Sequence, residues 1–112
     1  MECRLINFPD DATGVALKRI CVSGSDMSKP MAMDFFVAVP SEEAGNQAAS
    51  KIGTLGFETS VEKDAETNGW TCYCSKSLIP HYEDVVRIEN QLDEFSKPFG
   101  GSIDGFGTFG NV

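Results

Sequence analysis

The chain has 112 residues, enough for one ordinary domain and too few for two, so residues 1–112 are read as a single unit. Its 41% hydrophobic content supports a packed core and excludes a disordered chain. Seventeen acidic residues against nine basic ones give a net charge of −8, which argues against direct nucleic-acid binding. The same charge suits a protein partner with a basic surface, and also serves solubility.

Residues 1–11 carry Glu2, Arg4, Asp10 and Asp11 around a short Leu5-Ile6, which is not the apolar stretch of a leader peptide. No apolar run approaches the roughly 20 residues of a membrane span. The expectation is a cytoplasmic protein with no membrane contact. In that compartment Cys3, Cys21, Cys72 and Cys74 are reduced thiols, and neither reductant nor chelator moves the melting temperature.

Phe8-Pro9-Asp10-Asp11 reads as a helix entry with an aspartate N-cap, opening a helix over about 10–23. Val15, Ala16, Ile20 and Cys21 form its apolar face, and Ser23-Gly24-Ser25-Asp26 stops it. From Met33 the period becomes two, with Met33, Phe35, Val37 and Val39 on one face and Asp34, Phe36 and Ala38 on the other. Ser41 caps a second helix with a stripe at Ala44, Ala48, Ile52 and Leu55, stopped at Gly56. Phe57, Thr59 and Val61 alternate along the next strand against Glu58, Ser60 and Glu62. Asn68-Gly69 is a hairpin turn signal. The following strand puts Trp70, Cys72 and Cys74 on its core face and Thr71, Tyr73 and Ser75 on the other.

Pro80 opens a long helix carrying Val85, Ile88, Leu92 and Phe95, ended by Pro98 and Gly100-Gly101. Residues 102–109 read as the last strand, and the core spans about 33–109. A helix followed by β-α-β-β-α-β is the α+β, ferredoxin-like sandwich, a four-stranded antiparallel sheet with helices on one face.

Few residues invite chemistry. Cys72 and Cys74 sit on one strand face with Cα atoms about 6.6 Å apart by strand rise, the far end of the disulfide range. With Trp70 beside them they read as core filler; the rival is a small thiol-dependent enzyme using Cys72 or Cys74. His81 is the single histidine, at a helix start, and its spacing to the cysteines matches no zinc pattern. No phosphate loop or acyl-transfer signature is present. The reading therefore assigns no enzyme activity, no cofactor and no metal.

The face away from the helices carries more information. Phe36, Tyr73 and Phe106 project from neighbouring strands there, unless the leading helix folds across the sheet and buries them. Exposed aromatics on an acidic sheet suit a protein interface.

Three stretches resemble a known family. They are Gly24-Ser-Asp-Met-Ser-Lys-Pro30 leading into Asp34-Phe-Phe-Val37, the corner Leu55-Gly-Phe-Glu58, and Gly100-Gly-Ser-Ile-Asp-Gly-Phe-Gly-Thr-Phe109. Together they are similar to the bacterial ribonuclease E inhibitors, regulator of ribonuclease activity B, over about residues 9–109. The resemblance implies the ferredoxin-like sandwich and a non-enzymatic role, binding a nuclease and changing what it cleaves. Toxin immunity against a nuclease is the alternative within the binding class. The expected docking residues are Phe36, Tyr73 and Phe106 as apolar anchors, with Asp34, Glu58, Glu62 and Asp104 around them.

Overall fold

The computed structural model of the chain describes Cys3 and residues 6–111. Met1, Glu2, Arg4, Leu5 and Val112 lie outside the described residues, so the reading of residues 1–11 as lacking a leader falls partly outside them. The elements run α1 (Ala12–Val22), β1 (Met31–Val39), α2 (Glu42–Gly53), β2 (Glu58–Lys63), β3 (Trp70–Leu78), α3 (Tyr82–Ser96), a 3-10 turn at Lys97–Phe99, and β4 (Ser102–Gly107). The sheet order is β2-β3-β1-β4 with every pair antiparallel, the ferredoxin-like arrangement.

Strand β1 organises the sheet. Met31, Met33, Phe35, Val37 and Val39 are all buried, while Ala32, Asp34, Phe36 and Ala38 face the other way. Such strict alternation needs one dry face and one wetter one. Helix α2 covers β2 and β3, and α3 covers β4 and β1, both on the dry side. Ser41 caps α2 by accepting from the Ala44 N–H at 3.1 Å, and Ala44, Ala48 and Ile52 are buried as the stripe requires. The strand begins two residues earlier than alternation from Met33 suggests, because Met31 also reaches the core. Helix α3 begins at Tyr82, two residues after the expected Pro80, with His81 at its N-cap position.

Helix α1 does not cross the open sheet face; it packs beside α3 on the helix side. Asp11 caps it, accepting from the Gly14 N–H at 2.7 Å, and the Tyr82 hydroxyl donates to the same carboxylate. These bonds hold the Asp11 carboxyl below its ordinary range, so it stays ionised at neutral pH. Thr13 donates to Glu89 at 2.7 Å, a second link from α1 to α3. The buried face of α1 is Gly14, Leu17 and Cys21 rather than one containing Val15, which is exposed. Leu17, wholly buried, is the anchor that helical spacing from Val15 missed.

Cys3 and Cys21 are joined by a disulfide with Cα atoms 5.9 Å apart, which corrects the expectation of four reduced thiols. The pairing is not legible in the sequence because it depends on Cys3 lying beside the last turn of α1, an arrangement no local pattern encodes.

The last strand contains the other correction. Val37 pairs with Ile103 and Phe35 with Phe106, so Phe36 faces both Asp104 and Gly105. This β-bulge inserts one residue and reverses the phase of everything after it. Gly105 takes φ 115°, a conformation in which a side chain is strained. Phe106 is thereby turned to the helix side, its ring 5.9 Å from that of Phe35.

Three measurements test these features. Gly105→Ala lowers the unfolding free energy by about 1–2 kcal/mol, the cost of a positive φ with a Cβ. Gly53→Ala, at the end of α2 with open space around its Cβ direction, raises it by about 0.5–1 kcal/mol; denaturant melts compare the two. Opening the Cys3–Cys21 bond releases a loop with sequence separation 18 and costs about 3 kcal/mol in the chain-entropy account. Calorimetry with and without a thiol reductant, beside Cys3→Ser, reads this as a drop of several degrees in Tm.

Candidate functional site

The sheet face away from the helices is built in three rows by the strand register. Glu58, Ser75, Asp34 and Gly107 form one row, and Glu62, Thr71, Ala38 and Ser102 another. Between them lie Ser60, Tyr73, Phe36 and the Asp104–Gly105 bulge. Six of the seven residues expected at a docking surface therefore share this face: Phe36, Tyr73, Asp34, Glu58, Glu62 and Asp104. Phe106 is the exception, because the bulge carries it to the core side.

The centre is aromatic. The rings of Phe36 and Tyr73 meet edge to face at 5.6 Å and 81°, the geometry favoured by ring quadrupoles. A Cβ on Gly107 would stand 3.3 Å from the Phe36 ring, so the glycine leaves room for Phe36 to lie over β4. Both rings are half-buried by their neighbours and half-open to solvent.

The rim is acidic. Glu58, Glu62 and Asp104 are exposed, and Asp34 is half-buried and accepts a hydrogen bond from Ser75. No lysine or arginine occupies a strand position on this face. Lys76 points to the other side, its ammonium 5.1 Å from the centroid of the Phe57 ring. Lys63 pairs with Trp70 at the far end of the hairpin, also on the helix side. Carboxylates from three different strands thus surround one aromatic pair with no cation among them to neutralise the field.

The other expected chemistry is placed elsewhere. Cys72 and Cys74 are wholly buried, their sulfurs 3.9 Å apart in thiol contact and not joined by a disulfide. Contact with the Cys72 thiol, together with burial, pushes the Cys74 thiol well above its ordinary range. A thiol held protonated and out of water is a poor nucleophile. Trp70 lies on the same strand face but is only half-buried, at the end of β3. Among the described residues, no three His, Cys, Asp or Glu side chains are grouped to hold a metal ion, and no helix is long and apolar enough to cross a membrane.

The structure also joins two stretches that sequence reasoning left apart. Asn111 accepts from the Asp26 N–H and donates to the Asp26 carbonyl, both at 2.8 Å, so the tail after β4 is clamped to the loop before β1.

If the two inner thiols are core, native protein leaves Cys72 and Cys74 unlabelled by a thiol reagent until denaturant is added. Rapid labelling of either without unfolding returns the thiol-enzyme reading.

Compared with known families, the chain matches the one described as Regulator of ribonuclease activity B over residues 10–108. No curated protein matches it.

Proposed function

Because the chain belongs to the regulator of ribonuclease activity B family, we propose that it regulates a ribonuclease by binding it, using the acidic sheet face and performing no chemistry of its own. The observation that supports this reading is the composition of that face: four carboxylates around Phe36 and Tyr73, with no cation at a strand position. Enzymes that act on RNA carry basic surfaces, because their substrate is a polyanion. An acidic face is drawn to such a surface at distances up to the Debye length, about 8 Å at physiological salt. Charge sets the encounter rate and orientation, and desolvated aromatic anchors set the lifetime of the complex. The cytoplasm, where ribonucleases meet transcripts, is the compartment this reading implies. A reducing thiol pool there opposes the Cys3–Cys21 bond.

The test measures two quantities on each variant: affinity for the ribonuclease and unfolding free energy. Phe36→Ala and Tyr73→Ala each weaken binding by about 2 kcal/mol or more, the threshold of an interface hot spot. Their cost in stability stays below the roughly 3–5 kcal/mol of truncating a buried phenylalanine such as Phe35. Glu58→Gln combined with Glu62→Gln slows association and flattens its salt dependence. Variants that lose stability while keeping full affinity would move the docking surface away from this sheet face.

A further inference from the structure

A second surface, opposite in character, lies at the C-terminal half of α1 and the tail beside it. Helix α1 contains Lys18 and Arg19 and no carboxylate, in a chain that has seventeen acidic residues. Val15, Lys18, Arg19 and Val22 recur at i, i+3, i+4 and i+7, so they share one helix face, and all four are exposed. A cation in the last turn complements the helix dipole, which accounts for Arg19. It does not account for the apolar residues around it. Val22 is 68% exposed, and Phe109 is exposed completely, at 101%.

Two open cavities flank this ridge. One, of about 420 Å³, includes Ile6, Phe8, Lys18 and Val22 in its lining. The other, of about 310 Å³, includes Arg19, Ile20 and Phe109. Among the described residues, neither lining contains a carboxylate. Phe109 is also held in place. Thr108 Oγ1 donates to the Ala32 carbonyl at 2.5 Å, the Gly110 N–H donates to Thr108 Oγ1 at 3.0 Å, and the Asn111 clamp follows directly. A ring presented on tied backbone with no packing partner has the properties of an interface anchor.

We propose that this surface docks a second copy of the chain, the α1–tail surface of one copy seating on the acidic sheet face of the next. The charge complementarity is internal to the chain. The sheet face offers four carboxylates and no strand cation, and helix α1 offers two cations and no carboxylate. Phe109 supplies the ring that packs against the Phe36–Tyr73 pair. Because the two patches differ, the contact is heterologous: every assembly keeps one free patch of each kind, at its two ends, and association continues head to tail. The net charge of −8 opposes approach at long range, but beyond about 8 Å that field is screened at physiological salt. In regulatory terms, which rest on the reading above, a stacked copy covers the ribonuclease-docking face, so self-association and ribonuclease binding exclude one another.

Analytical ultracentrifugation at physiological salt tests the contact without any ribonuclease. The wild-type mean mass climbs with concentration past that of a dimer. Phe109→Ser and Tyr73→Ala each lose at least tenfold in association constant, with melting curves recorded to show that both remain folded. Mixed in equal amounts, they form a dimer and nothing larger, since one keeps its sheet face and the other its α1–tail surface. A wild type that stays monomeric overturns the proposal, as does a closed dimer that both variants preserve, or a mixture that does not associate. Binding of a short oligouridylate that Phe109→Ser abolishes would assign the surface to nucleic acid instead and also overturn it. Any of these results leaves the ribonuclease affinity of the sheet face to stand or fall by its own measurement.

Discussion

The two-sidedness of β1 is the constraint on which the other features depend. It is the only strand hydrogen-bonded to β3 on one side and β4 on the other, and its alternate residues are fully buried. Helices on the dry side remove Met33, Phe35 and Val37 from water, a burial worth roughly 1.5–3 kcal/mol for each large apolar side chain. The same pleat then presents Asp34 and Phe36 outward. The proposed docking face is therefore the reverse side of the core, and neither can be shifted by one residue without inverting the other.

Much of this was legible because the signals are short-range. Alternation placed Phe36, Tyr73, Asp34, Glu58 and Glu62 on one face, and register then carried them across the sheet. Ser41 and Asn68, the latter at φ 60°, behave as cap and turn residues whose chemistry is written in two or three positions. The failures share a different cause. Alternation alone puts Phe106 on the open face, because a bulge is a single unpaired residue and a Gly-rich run shows no break in period. The α1 face was read from Val15 because a short helix with apolar residues on several sides leaves its orientation to tertiary packing, here Leu17 and the Asp11–Tyr82 and Thr13–Glu89 links. The Cys3–Cys21 bond depends on where Cys3 lies in the fold, which no local pattern fixes.

The bulge does more than misplace one ring. By turning Phe106 inward against Phe35 while leaving Asp104 outward, it lets a six-residue edge strand serve core and surface together. Gly107 then leaves room for the Phe36 ring beside the edge strand. A strand without the insertion would place an aromatic beside Phe36 and lose a core contact. The tight Gly-x-Gly spacing at residues 105–107 is accounted for by backbone and packing demands at two adjacent rows of one ladder.

Chain order gives β4 a distinct kinetic position. The β2–β3 hairpin closes over a short turn, whereas the β1–β4 ladder joins Asp34 to Gly107, 73 residues apart by subtraction of their numbers. Non-local pairing of this kind carries the largest loop-closure entropy and forms late. An edge strand held by one ladder, by the Asp93 carboxylate on the Ile103 N–H and by the clamped tail is the natural unit of sub-global opening. When β4 detaches, Asp104 and Gly107 leave the sheet face and Phe109 leaves the side of α1 in the same event. Both surfaces would then be lost together, while the three-stranded β2-β3-β1 sheet stays paired.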